Sequence, residues 1–170
     1  MESKVILFIT TSLDGMIAGP NHELDWLLHD QDYGYTAFYD DLSAVVMGRK
    51  TYDVTMGFGE YPYPNTEGYV LSHSRTGSDD HVTFVNKDLP TFFDQLKLTT
   101  HKNIWLIGGA QLAQDCAKLG LIDEYYLYIH PLILGEGIPL WGKLPRIDLE
   151  LVRQEAYSSG MVLMVYKKKG

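Results

Sequence analysis

Three stretches of the chain put small or cationic residues where a strand reading gives way to a helix reading, and such places bind anions. Ile104-Trp105-Leu106-Ile107 is an apolar run that Gly108-Gly109 stops; Ala110 to Leu119 then has helix formers, apolar residues three or four apart, and Gly120 as an end cap. A strand, a glycine turn and a helix start gather free backbone N–H groups at the positive end of the helix dipole. Glycine lets a phosphate approach that backbone closely. Ala44 to Met47 runs in the same way into Gly48-Arg49-Lys50-Thr51, which adds two cations and a hydroxyl. Cations at a helix start oppose the dipole, so their presence predicts something negative beside them. Gly68 to Ser72 ends in Ser72-His73-Ser74-Arg75, two hydroxyls and an arginine suited to a phosphate on a ribose. Each stretch also has a plain structural alternative: a tight turn, a solvated basic helix start, or a polar turn.

Two carboxylates are candidates for acid chemistry. Asp14 precedes Gly15 in a turn after the first strand, a position where an aspartate can equally serve its own backbone. Asp30 lies near the start of a helix read over Asp30 to Leu42, where it and Asp32 can equally cap the first turn. Other chemistries lack their residues. The six histidines form no i, i+4 pair and none stands at ligand spacing from a cysteine, so no metal site is expected. The sequence contains no Gly-x-Ser-x-Gly elbow, no Walker loop and no Gly-x-Gly-x-x-Gly fingerprint.

The elements that must position these residues fit one domain over residues 1–170. A formal net charge of −8 argues against nucleic acid as a partner, and no apolar run reaches membrane-spanning length. One cysteine, Cys116, permits no internal disulfide, and a cytoplasmic location is expected. Val5 to Thr10 reads as a central strand, and Met16 to Pro20 as an irregular loop at its end. Strands follow at 44–47, 68–72, 81–85 and 103–107, with a helix over Leu89 to Leu98. Tyr125 to Leu134 reads as a long strand whose Pro131 implies an edge or a bulge. Leu149 to Tyr157 and Met161 to Lys167 alternate around Ser158-Ser159-Gly160 as an antiparallel hairpin. The order predicts an α/β fold: a mostly parallel sheet, helices on both faces, and an antiparallel edge.

Ser12-Leu13-Asp14-Gly15, Met47-Gly48-Arg49-Lys50-Thr51-Tyr52, Val70-Leu71-Ser72 with Arg75, and Gly108-Gly109-Ala110-Gln111-Leu112 with Leu121-Ile122-Asp123-Glu124 occur in this order, followed by Leu134-Gly135-Glu136-Gly137. Together they resemble the dihydrofolate reductase-like superfamily, in particular the branch of the riboflavin-biosynthesis reductase domain. The resemblance implies an NADPH-binding fold. Gly48, Arg49, Lys50 and Thr51 would hold adenine-side phosphates, Ser72 and Arg75 the 2′-phosphate, and Gly108, Gly109, Ala110, Gln111 and Leu112 the pyrophosphate, with Leu71 and Ile107 also among the cofactor-binding residues. Ile17 and Ala18 would lie against the nicotinamide, and a cis peptide would join Gly108 to Gly109. The chain departs from both relatives. Trp26-Leu27-Leu28-His29-Asp30 lacks the Leu-Pro pair of folate reductases, and Ile107 stands where the riboflavin reductase has an acid. Neither substrate carries over.

The resulting expectation is an NADPH-dependent reductase that transfers hydride to a small heterocyclic or carbonyl-type substrate, with Asp14 and Asp30 as acid candidates. Aromatic residues in 26–39 and 58–69 would form a slot for a planar substrate. The alternative is a non-catalytic nucleotide-binding module of the same fold. A homodimer is also expected, because Tyr126, Tyr128 and His130 share a second face of their strand, an aromatic surface suited to a partner.

Overall fold

The computed structural model describes residues 2–170. Its centre is an eight-stranded sheet. In chain order the strands are β1 (Val5–Thr11), β3 (Leu42–Gly48), β4 (Glu67–Leu71), β5 (Val82–Val85), β6 (Asn103–Gly108), β7 (Glu124–Ile129), β9 (Leu149–Ala156) and β10 (Val162–Lys168). They lie side by side as β5-β4-β3-β6-β1-β7-β10-β9. The pairs from β5 through β7 are parallel; β10 is antiparallel to β7 and to β9. The fold is therefore the expected one, with the C-terminal hairpin forming the antiparallel edge.

The central strands are apolar on both faces because helices cover both. On one face Phe92, Phe93 and Leu96 of α3 (Leu89–Thr99) and Ala113, Cys116 and Ala117 of α4 (Ala110–Lys118) pack on Val5, Leu7, Ala44, Ile104 and Leu106. Cys116 is fully buried there, which pushes its thiol up to about 12. On the other face Tyr35 and Phe38 of α1 (Tyr35–Asp40) and Tyr52 of α2 (Arg49–Gly57) pack with Val45, Met47 and Trp105. Asp88 starts α3 by accepting the Thr91 N–H at 3.0 Å, and Pro90 fills a position where no N–H is needed.

Four local readings change. The helix expected over 30–42 is only α1, since Tyr33 (φ 55°) and Gly34 (φ 80°) are left-handed and stop a helix from starting earlier; Leu42 already belongs to β3. Asp32 does cap it, accepting from the Thr36 N–H and hydroxyl at 3.2 and 2.7 Å. Met16–Ala18 is a short strand, β2, paired with β8 (Ile138–Pro139), rather than an irregular loop. The strand expected over 125–134 stops at Ile129, before Pro131, and is not an edge, since β7 is paired on both sides. Its second aromatic face is covered from within the chain: Tyr128 is buried, lies tilted against Phe8 with ring centres 4.8 Å apart, and donates its hydroxyl to the Tyr33 carbonyl at 2.7 Å.

Most aromatic residues of 26–39 and 58–69 are likewise spent on packing, although Phe58 is exposed. Tyr35, Phe38 and Tyr63 ring Trp105, and Tyr61 stacks on His81. Tyr33 and Phe38 border a cavity of about 290 Å³ with Tyr126, Tyr128 and Tyr157. Tyr61 and Tyr63 do border a cavity of about 500 Å³ with Met56, Glu60 and His81, but it lies beside the N-terminal ends of β4 and β5, away from the glycine turns.

Candidate functional site

The C-terminal ends of β4, β3 and β6 lie next to one another, since Gly48 is in register with Leu71 and Met47 with Gly108. In a parallel sheet this is the edge where chain direction changes and ligands bind. Both glycine turns land there, and each begins a helix: Gly48 precedes α2 and Gly109 precedes α4. Neither helix start has a side-chain cap, so the first N–H groups of both are free for a ligand.

The turns face each other closely. A Cβ on Gly48 would sit 3.8 Å from the Gly109 nitrogen, and a Cβ on Gly109 would sit 3.1 Å from the Thr51 hydroxyl. Gly108 has φ 119°, a conformation that side chains avoid, and it joins Gly109 through the expected cis peptide. The space between the turns exists because neither residue has a side chain. It is a cradle of backbone N–H groups at two helix N-termini, and its chemistry fits a phosphate or pyrophosphate.

The other predicted residues divide around this cradle. Leu71 is level with Gly48, and Ser72 follows it, tied to β5 by its N–H to Val85 O at 2.9 Å. The Ser72 hydroxyl accepts from the N–H groups of Ser74 and Arg75 at 3.3 and 3.0 Å, which turns the chain and brings Arg75 back over α2. Ile107 is half-buried in the core cluster under α1 and α2. Ala110 and Leu112 continue the helix, while Gln111 bonds Asp115 along the helix surface at 2.9 Å. Lys50 is exposed. Ile17 and Ala18 lie in β2; Ile17 packs against the core and Ala18 is buried. Ala18 is also crossed by the 135–137 loop, where a Cβ on Gly137 would fall 2.3 Å from the Ala18 carbonyl oxygen.

The negative group predicted beside Arg49 turns out to be internal. Asp53, one turn along α2, accepts from Arg49 Nη1 at 3.1 Å. It also accepts from both Nη atoms of Arg75, at 2.8 and 3.1 Å. The Arg75 pairing holds the Asp53 carboxyl below its usual range. Sequence reading had no signal for this contact, because Asp53 and Arg75 are distant in sequence and meet only once β4 lies beside β3.

The two acid candidates are not brought together. Asp14 accepts from the Ser12 hydroxyl at 2.5 Å and from the N–H groups of Leu134 and Gly135 at 3.1 and 2.9 Å. It ties the turn before β2 to the loop before β8, and the Ser12 bond foremost keeps its carboxyl below the ordinary range. Asp30 accepts from the Tyr33 hydroxyl, which also reaches the Ser159 hydroxyl at 2.7 Å, and the Tyr33 bond lowers the Asp30 carboxyl. Sequence reading placed His130 on the partner face and gave it no part in a site. It is buried, accepts the Leu28 N–H on Nε2 at 3.2 Å, and lies edge-on to Trp26. Burial lowers its pKa, so the ring is neutral and Nδ1 carries the proton. Nδ1 meets no partner among the described residues. No group of His, Cys, Asp or Glu among the described residues could hold a metal ion, and no helix among them is long and apolar enough to cross a membrane.

The comparison with known families decides what this arrangement belongs to. Residues 3–163 match the family model of the RibD C-terminal domain. The chain belongs to that family. Relatives include two uncharacterized Bacillus subtilis (strain 168) proteins. YyaP is 36% identical, with 99% of this chain and 97% of the relative covered. YwjB is 40% identical, with 85% and 86% covered. A solved structure from Shewanella sp. PV-4, assigned to riboflavin biosynthesis, is 30% identical with a TM-score of 0.89, covering 98% of this chain and 99% of that one. A Thermotoga maritima diaminohydroxyphosphoribosylaminopyrimidine deaminase/5-amino-6-(5-phosphoribosylamino)uracil reductase shares the fold at 16% identity and a TM-score of 0.75, covering 99% of this chain and 57% of that one. A RibD C-terminal family member thus has a reductase-like fold whose two glycine turns meet at one sheet edge.

Proposed function

We propose that this RibD C-terminal family protein is an NADPH-dependent oxidoreductase that reduces a small heterocyclic or carbonyl-type molecule in the cytoplasm. The observation that carries the proposal is the pair of uncapped helix N-termini whose glycine turns leave a cradle between them, with Ser72 and Arg75 following the adjacent strand β4 at the same edge. The spacing suits a dinucleotide. Gly108 to Leu112 would hold the pyrophosphate, Gly48 to Thr51 an adenine-side phosphate, and Ser72 and Arg75 the 2′-phosphate. The bound dinucleotide supplies the hydride. The chain's own part is to bind, orient and exclude water, with Ile17 and Ala18 of β2 as the apolar wall beside the reacting ring.

Wild-type protein should bind NADPH more tightly than NADH. An Arg-to-phosphate bond is charge-assisted and worth about 1.5–3 kcal/mol when the arginine is free, so a preference for NADPH is expected from Arg75 and Ser72 together. Calorimetric titration checks it, and equal affinities would sink the assignment of the 2′-phosphate site.

A second reading is a nucleotide-binding module without turnover. It is favoured by the state of Asp14 and Asp30, both held as carboxylates by their hydroxyl partners and so poorly suited to give up a proton. Loss of NADPH absorbance with candidate pyrimidines, pterins or quinones separates the two readings.

We also propose a homodimer, now through a different surface. All of β9 is exposed, including Leu149, Leu151 and Val152, and one of its edges is unpaired. Beside it an apolar pocket of about 230 Å³ is lined by Leu127, Trp141, Leu144, Ile147 and Tyr166. Covering this strip would remove an unprotected sheet edge from water. Sedimentation equilibrium should give twice the 19.3 kDa chain mass; a species of that single mass at every concentration would overturn the dimer.

A further inference from the structure

We propose that Asp53 sets the discrimination between 2′-phosphorylated and unphosphorylated dinucleotides by occupying the arginine pair that a 2′-phosphate must engage. The inference rests on the reading of Ser72 and Arg75 given above and goes beyond it, since it assigns an opposing role to an acidic residue.

The carboxylate of Asp53 takes both Nη atoms of Arg75 in a two-bond fork, at 2.8 and 3.1 Å, and one Nη of Arg49 at 3.1 Å. Carboxylate and phosphate use the same fork geometry on arginine. The same N–H groups cannot serve both fully. A phosphate arriving here meets one net positive charge, from two arginines and one aspartate, with the aspartate at its centre. The three side chains are about two-fifths exposed, so a ligand can reach them without unfolding anything.

Asp53 is not alone in placing Arg75. The Arg75 N–H is bonded to the Ser72 hydroxyl at 3.0 Å, and its guanidinium lies 5.7 Å from the centre of the Phe84 ring. Both contacts are independent of Asp53. Removing the charge therefore frees a fork that is still aimed. A merely positioning aspartate would act in the opposite sense, because its loss would let Arg75 wander and weaken phosphate binding. The sign of the effect decides between the two roles.

The test is calorimetric titration of wild type, Asp53→Asn and Asp53→Glu with NADPH, NADH and adenosine 2′,5′-bisphosphate, alongside thermal melting of each protein. Asp53→Asn should bind NADPH and the bisphosphate roughly tenfold more tightly, about 1.4 kcal/mol, with NADH affinity unchanged. Asp53→Glu should keep the wild-type ratio. The gain should shrink as salt is raised, since the removed repulsion is screened. If wild type prefers NADPH to NADH and Asp53→Asn binds NADPH equally or less tightly than wild type, the competitor role is wrong and the 2′-phosphate assignment stands. If no protein in the set distinguishes NADPH from NADH, the assignment and the competitor role fall together. Should Asp53→Asn melt far below wild type, Asp53→Ser carries the same expectation and the same two ways of failing.

Discussion

Gly48→Val should fold like the parent protein and lose most of its affinity for NADPH. Gly48 has φ −77° and ψ 160°, ordinary extended backbone that any residue adopts. A Cβ there would lie 3.8 Å from the Gly109 nitrogen and 3.9 Å from the Gly108 oxygen, which is contact without overlap. Valine also suits the end of a strand. Its methyl groups would nevertheless fill the space between the two turns and cover the N–H groups that a phosphate needs. Losing two charge-assisted bonds at about 1.5–3 kcal/mol each amounts to more than a hundredfold in affinity. The neighbouring glycines would give a less readable result. Gly108 has a positive φ, so a side chain there strains the backbone, and a Cβ on Gly109 presses on the Thr51 hydroxyl at 3.1 Å, which would have to shift. Gly48→Val separates binding from folding. Melting within a few degrees of wild type together with unchanged NADPH affinity would show that the dinucleotide lies elsewhere.

The glycine turns were legible in the sequence because each depends on local order: an apolar strand, a residue without a side chain, a helix former. The parallel sheet and the terminal hairpin were legible for the same reason, through unbroken apolar runs against strict alternation. What could not be read was the outcome of tertiary choices. Nothing in Tyr33-Gly34 announces a left-handed pair, since Tyr33 holds φ 55° only because its ring and carbonyl are fixed by Asp30, Ser159 and Tyr128. Asp53 has no sequence mark that distinguishes it from any helix-surface acid. Its meaning comes from Arg75, which reaches it across a strand boundary. His130 was read only as part of an aromatic face; its buried ring against Trp26 depends on where the segment 24–28 crosses the sheet edge. Tyr126, Tyr128 and His130 show the limit most directly. Alternation put Tyr126 and Tyr128 on one face of β7, with His130 just past its end, but periodicity cannot say whether that face meets a partner, water or the chain's own loops.

Tyr128→Glu should therefore leave little folded protein, whatever the oligomeric state. Tyr128 is 3% exposed. Its ring lies 4.8 Å from Phe8, its hydroxyl bonds the Tyr33 carbonyl, and burial raises its phenol above the ordinary range. Replacing a buried aromatic ring with a smaller side chain costs about 3–5 kcal/mol through lost contacts and the cavity left behind. A carboxylate in that cavity adds a desolvation cost, since no cation is bonded at this position. Set against a total stability of about 5–15 kcal/mol, the sum removes most of the folded population. Tyr128→Phe keeps the ring and loses only the hydroxyl bond, about 1 kcal/mol, and the Tyr33 carbonyl retains the Tyr157 hydroxyl at 3.4 Å. Urea denaturation of the two variants beside wild type reads the difference as a small midpoint shift for phenylalanine and a collapse for glutamate. A glutamate variant that unfolds at the wild-type midpoint would place this side chain in water or against a partner, and the packing of segment 28–35 over β7 would have to be redrawn.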